Sequence, residues 1–211
     1  MTSSRSAESA PVSLRRFDLA QRAVHWSLTA LMASCIVTAA ILYNGSIGIR
    51  VGHRHVVELI HVYSGFALPV PILLGLISPA FRADVRRLNR FSPADWKWLR
   101  KRTRPDAADH VGKFNAGQKL NSSLTLGAIV VLLGTGTIMY FIGLVRLSWR
   151  TGATFVHDWF ALALGVLILG HIYMAMKDPE ARRGMRSGRV STYWAQRKHP
   201  AWAEADIDEI G

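Results

Sequence analysis

The chain has 211 residues, half of them hydrophobic, and carries a net charge of +12. A mean hydropathy of +0.16 beside that charge excludes an evenly mixed soluble globule, because apolar and basic residues must then be segregated along the chain. Cys35 is the lone cysteine and no C-x-x-C-H occurs, which excludes disulfides, iron–sulfur clusters and covalently attached haem within this chain.

In chain order, residues 1–22 are expected to form a cytoplasmic N-terminal segment, of which the first seventeen hold Arg5, Glu8, Arg15 and Arg16 with no apolar run. No cleavable signal peptide is expected there, so the first helix would act as an uncleaved anchor. Nearly uncharged stretches then run from Ala23 to Tyr43, Leu59 to Phe81, Leu120 to Val145 and Phe155 to Met176, each at or above the roughly 20 residues that a bilayer core demands. They predict transmembrane helices over about 23–43, 56–81, 118–145 and 154–176. The expected fold is all-α, an integral membrane four-helix bundle forming one domain over residues 23–176. Pro69 and Pro71 are expected to bend the second helix. Between helices two and three, Ser92-Pro93-Ala94-Asp95 followed by Trp96-Lys97-Trp98 predicts an N-cap, a proline at N1 and a short interfacial helix. The tail, residues 177–211, is polar after Asp178-Pro179 and carries Tyr193, Trp194 and Trp202. It is expected to lie against the cytoplasmic face or a partner subunit. No internal repeat is evident.

Charge sets the expected topology. All but four of the 26 basic residues, namely Arg50, Arg54, Arg146 and Arg150, fall before the first helix, between the second and third, or after the fourth. The positive-inside rule therefore places both termini and the middle loop in the cytoplasm. Basic residues confined to those flanks are explained by topology and anionic lipid headgroups, so nucleic acid is not an expected partner.

Four of the eight histidines, His25, His61, His157 and His171, lie inside the apolar spans, where an ionisable side chain is expensive and usually functional. His25 opens helix one and His171 lies near the cytoplasmic end of helix four, so the two are level. His61 and His157 share the opposite, outer level. On helix four the histidines are fourteen residues apart, which separates them by about 21 Å along the axis and only about 40° around it. Two pairs of facing imidazoles at two depths suit two b-type haems, each with one histidine on either face of the iron. Gly65 and Gly165 could admit porphyrin edges or simply serve helix packing. Zinc would need four convergent ligands, which two distant pairs do not supply. His53 and His55 read as a solvated loop face, and His110 and His199 as ordinary cytoplasmic residues. Asn115 and Gln118 enter helix three at the depth of His25 and His171. They read as an N-cap and a first-turn polar group, or as hydrogen-bonding groups for a quinone. Arg22, Lys119, Lys177 and Arg54, at helix ends, are either propionate partners or plain flanking charges.

Several segments carry a family resemblance: Arg16-Phe17-Asp18 through His25-Trp26, Ile60 to Gly65, Gly112-Lys113-Phe114-Asn115-Ala116-Gly117-Gln118-Lys119, Val156-His157-Asp158, His171-Ile172-Tyr173, and Gly184 to Trp202. Over nearly its whole length the chain resembles the gamma subunit of respiratory formate dehydrogenase, a di-haem membrane cytochrome b. The resemblance implies haem iron ligation by His25, His61, His157 and His171, and a quinone pocket, for menaquinone or ubiquinone, lined by Asn115, Gly117, Gln118 and His171. It implies an iron–sulfur beta subunit and a molybdenum or tungsten catalytic alpha subunit as partners, in the bacterial inner membrane. The formate-oxidising site would lie in those partners, and this chain would have no catalytic residue of its own. Related cytochromes of hydrogenases or thiosulfate reductases share these expectations. A histidine-based proton channel or transporter, and a passive anchor whose histidines merely pack, are the readings from other classes.

Overall fold

The computed structural model describes residues 13–101 and 111–208; Arg5, Glu8, His110 and Glu209 lie outside them. The chain opens with strand β1 (Ser13–Arg15) and helix α1 (Leu19–Tyr43). Asp18 caps α1, accepting from the Gln21 backbone N–H at 2.8 Å while the Gln21 side chain accepts from Asp18 N at 2.7 Å. This reciprocal box satisfies two free donors and starts the helix four residues before the apolar run. Short α2 (Gly45–Val51) leads to α3 (Arg54–Ala67) and α4 (Pro69–Gly75), followed by α5 (Pro79–Leu88) and α6 (Pro93–Lys101). Next come α7 (Ala116–Tyr140), a 3-10 turn (Ile142–Leu144) and the long α8 (Leu147–Lys177). The tail forms α9 (Pro179–Ser187), β2 (Arg189–Ser191), α10 (Thr192–Lys198) and α11 (Pro200–Asp208).

Four helical stretches are long and apolar enough to cross a membrane: α1, α3 with α4, α7 and α8. The second is shorter than its apolar run suggests. It breaks at Leu68, as Pro69 lacks a backbone N–H, and ends at Gly75. Ser78 then caps α5 with Pro79 at N1, a start signal inside the apolar run. Helix α7 stops at Tyr140 instead of 145, and α8 begins at Leu147 instead of 154. Arg146 and Arg150 end the apolar window but do not oppose helix formation, since Arg is a good helix former. Ser92 and Asp95 exchange hydrogen bonds at the start of α6, as the Ser-Pro-Ala-Asp segment predicts.

The spans pack as two hairpins, α1 against α3 and α4, and α7 against α8, with α3 also meeting α7. Close approach within the first hairpin depends on Gly75, where a Cβ would lie 2.6 Å from Val24 Cγ2. Outward side chains such as Leu74, Val130, Val166 and Leu169 are exposed, as suits surfaces solvated by lipid tails.

The tightest core lies at the end of the bundle that carries both termini. It departs from the all-α expectation: β1 and β2 pair antiparallel, with Leu14 opposite Val190. Leu14, Val190, Ala195, Trp202 and Ala203 form a buried cluster. Gly188 adopts φ +82°, and a Cβ there would lie 2.5 Å from Phe17 O, so the turn into β2 requires glycine. The tail thus docks on the N-terminal segment of its own chain.

Candidate functional site

The structure brings the membrane histidines together in two pairs, as their depths predict. His61 on α3 faces His157 on α8, with ring centres 6.4 Å apart and planes inclined by 65°. At the end carrying the termini, His25 on α1 faces His171 on α8, with centres 6.3 Å apart and planes inclined by 51°. A metal between two imidazoles needs two metal–nitrogen bonds of about 2 Å; adding the ring radii gives about 6 Å between centres. Both pairs meet that requirement. Among the described residues no group of three or more His, Cys, Asp or Glu side chains converges. The donor set at each level is thus two imidazole nitrogens, which suits iron whose other ligands come from a macrocycle. A Cβ at Gly65 or Gly165 would meet nothing within 4 Å, so both border open space. Gly136 on α7 lies against the His157 ring, where a Cβ would sit 3.5 Å from Cε1. These features fit haem b.

The two pairs differ in what holds their rings. His61 Nδ1 lies 3.0 Å from Thr38 Oγ1 and 3.1 Å from Cys35 O, both on α1. His157 Nδ1 lies 2.9 Å from Thr135 Oγ1 on α7. At the other level His25 Nδ1 is buried with no hydrogen-bond partner among the described residues, and His171 is exposed. Sequence reasoning missed the two threonines, because a threonine in an apolar run carries no distinguishing signal.

Asn115 and Gln118 form the capping box of α7: Asn115 Oδ1 accepts from Gln118 N at 2.9 Å, and Gln118 Oε1 accepts from Asn115 N at 3.0 Å. Capping uses only the two carbonyl oxygens. Trp98 from α6 closes over Gly117, where a Cβ would lie 3.2 Å from its ring. Lys119 pairs with Asp95 at 2.7 Å and ties α6 to α7. His171 is on a different element, α8, facing His25.

Below this turn lies a buried charge cluster that the sequence did not reveal. Lys113 pairs with Asp84 at 2.7 Å, both side chains nearly buried, and Gln21 donates to the same carboxylate. Burial pushes the Lys113 ammonium below its usual range, although Asp84 opposes the shift. Arg16 donates to Lys113 O at 2.9 Å and to His199 Nε2 at 3.1 Å, and stacks 4.6 Å from the Trp194 ring. Burial brings Arg16 down to about 10, partly offset by Asp178 and Asp84. His199, expected to be ordinary, is a buried keystone. It donates from Nδ1 to Gly112 O at 2.8 Å, and burial, then the Arg16 charge, lower its pKa to about 4. A cavity of about 310 Å³, lined by Arg15, Arg16, Asp18, Gln21, Arg87 and Lys113, opens beside the cluster; neither histidine pair lines it.

Arg22 donates to Asp18 O and Arg186 O, Arg54 donates to Leu42 O, and Lys177 lies over Tyr173. With Lys119 on Asp95, all four proposed propionate partners already have protein contacts. His53 and His55 are exposed.

The sequence model of prokaryotic cytochrome b561 matches residues 16–188. The chain belongs to that family. This cytochrome b is also 27% identical over 199 residues to the formate dehydrogenase cytochrome b556(fdo) subunit of Escherichia coli, covering 89% of this chain and 90% of that one. It is 37% identical over 95 residues to the cytochrome b556(Fdn) subunit of the nitrate-inducible formate dehydrogenase of E. coli, 44% of each chain. A cytochrome b556 subunit of formate dehydrogenase from Haemophilus influenzae is 36% identical over 99 residues, 46% of this chain and 42% of that one. The latter two alignments thus span less than half the length of those relatives.

Proposed function

We propose that this protein is the cytochrome b subunit of a bacterial formate dehydrogenase complex, taking electrons from an iron–sulfur partner and delivering them to a quinone. The observation that carries this reading is the two histidine pairs, at two levels of one membrane bundle, each with the ring separation that iron needs. His61 and His157 would hold the outer haem, and His25 and His171 the inner one, in a bundle over residues 23–176 with both termini, 1–22 and 177–211, in the cytoplasm. Bound haem supplies reversible one-electron transfer. The names of the relatives support formate dehydrogenase over the hydrogenase and thiosulfate reductase alternatives; a molybdenum or tungsten subunit would be the oxidising partner.

The quinone would bind at the entrance of α7 and the end of α8, lined by Asn115, Gly117, Gln118 and His171. The capping box leaves both amide NH2 groups free to donate to quinone carbonyls, and Trp98 offers an apolar wall. Quinone reduction consumes protons, and the polar cavity lined by Lys113, two residues before Asn115, would bring water near that turn.

Replacing His61 with Ala in the assembled complex is expected to remove one of two haems and to block reduction from the partner side. Retention of both haems contradicts the assignment. Replacing Gln118 with Ala is expected to leave both haems bound and reducible while slowing their oxidation by quinone; normal oxidation there moves the quinone site elsewhere.

A further inference from the structure

We propose that Thr38 and Thr135 are positioning residues for the outer histidine pair, fixing the tautomer, the ring angle and the electron donation of His61 and His157 toward iron. The inference rests on the reading that these two histidines ligate a haem.

The hydrogen-bond geometry decides the direction of each contact. Thr38 Oγ1 donates its only proton to a carbonyl of its own helix, Ser34 O at 2.6 Å or Cys35 O at 3.1 Å. Its lone pairs are therefore what His61 Nδ1 meets at 3.0 Å, and Cys35 O, which can only accept, lies 3.1 Å from the same nitrogen. Nδ1 must carry the proton, and Nε2 keeps its lone pair for metal. The second hairpin repeats the arrangement. Thr135 Oγ1 donates to Val131 O at 2.7 Å or Leu132 O at 3.2 Å and presents lone pairs to His157 Nδ1 at 2.9 Å. In each hairpin the threonine sits on one helix and the histidine on its neighbour.

A threonine in an apolar helix commonly bonds back to its own i−4 carbonyl, and both residues do so. That bond leaves the oxygen free to accept, and in both hairpins the free side of the oxygen meets a histidine. An N–H acceptor behind a ligating imidazole orients the ring and makes the bound nitrogen a stronger donor. A stronger donor favours ferric iron. The outer pair would therefore hold its iron at a lower potential than the inner pair, where His25 Nδ1 has no partner. Electrons arriving at the outer level would then run downhill toward the quinone.

The test is a redox titration of the purified complex carrying Thr38→Val and Thr135→Val together, followed by optical and electron paramagnetic resonance spectra. We expect both haems to remain, one midpoint potential to rise, and the low-spin ferric signal of that haem to change with its ring angle, the other haem being unaltered. The Thr38→Ser and Thr135→Ser pair, which keeps both hydroxyls, is expected to restore the wild-type potential. Loss of the outer haem in the Val pair that the Ser pair recovers supports the proposal equally. Unchanged potentials and spectra, an equal shift of both haems, or a loss that serine does not recover would overturn it. His61→Ala distinguishes failure of the positioning role from failure of the ligand assignment: retention of both haems in that variant means that the ligand assignment itself has failed.

Discussion

The two ends of the bundle achieve order by different means. At the end away from the termini, His61 and His157 are held from within the spanning helices, by Thr38 Oγ1 and Cys35 O on α1 and by Thr135 Oγ1 on α7. At the other end His25 Nδ1 has no hydrogen-bond partner among the described residues, and the order comes from a cap in which β1 pairs with β2 and Arg16 is locked between Lys113 O, His199 and Trp194. A ring held by its own helices suits a fixed relay. A level adjoining a polar cap, a cavity and the Asn115 turn suits the exchange of a diffusible partner and protons.

If that contrast is right, damage to the cap should reach the inner level and spare the outer one. The largest effect is expected from Asp84→Ala, which strips the buried Lys113 of its partner. Leaving one charge of a buried pair uncompensated costs about 3–5 kcal/mol. Limited proteolysis of the tail should rise sharply in this variant while the outer haem spectrum stays the same.

Acid should act on the same cap more gently. His199 has a folded pKa of about 4, depressed from an ordinary value near 6.5, so the unfolded form takes up the proton first. The stability tied to neutral His199 is complete above about pH 6.5, is lost progressively as the pH falls toward about 4, and amounts to about 3 kcal/mol at most. Fluorescence of Trp194 and Trp202, whose rings adjoin His199, should report cap release in that window. His199→Gln should flatten the response there.

Gly75→Ala tests the first hairpin instead. Its new Cβ would lie 2.6 Å from Val24 Cγ2, and overpacking of this kind costs about 1–3 kcal/mol. A lowered thermal midpoint with both haems retained is expected. The smallest effect is that of Asn115→Ala, which removes the N-cap of α7 at about 1 kcal/mol. If Asn115 only caps, quinone reduction should follow that small loss of stability; a larger drop in quinone reduction with normal haem content marks it as part of the pocket.

The sequence disclosed the spans and the histidine pairing because both are properties of apolar length and depth, readable residue by residue. It hid whatever depends on distant segments meeting. Three-residue strands around Leu14 and Val190 have too few positions for an alternating pattern, and their pairing joins the chain ends. His199 looked ordinary because its burial depends on Arg16 arriving from the other end of the chain. The second span ends short of its apolar run because Ser78-Pro79, a helix start, sits within that uninterrupted run. Thr38 and Thr135 were invisible for a simpler reason: only the fold shows which helix each hydroxyl faces.

Whether the two histidine pairs each hold a haem is read from the haem-to-chain ratio of the purified complex, counting b-type haem with a reduced-minus-oxidised spectrum and correcting for partner subunits. Two haems for each copy of this chain are expected, both low-spin. A preparation that transfers electrons to quinone with no b-type haem, or that holds one haem and keeps it in both His25→Ala and His61→Ala variants, would contradict it.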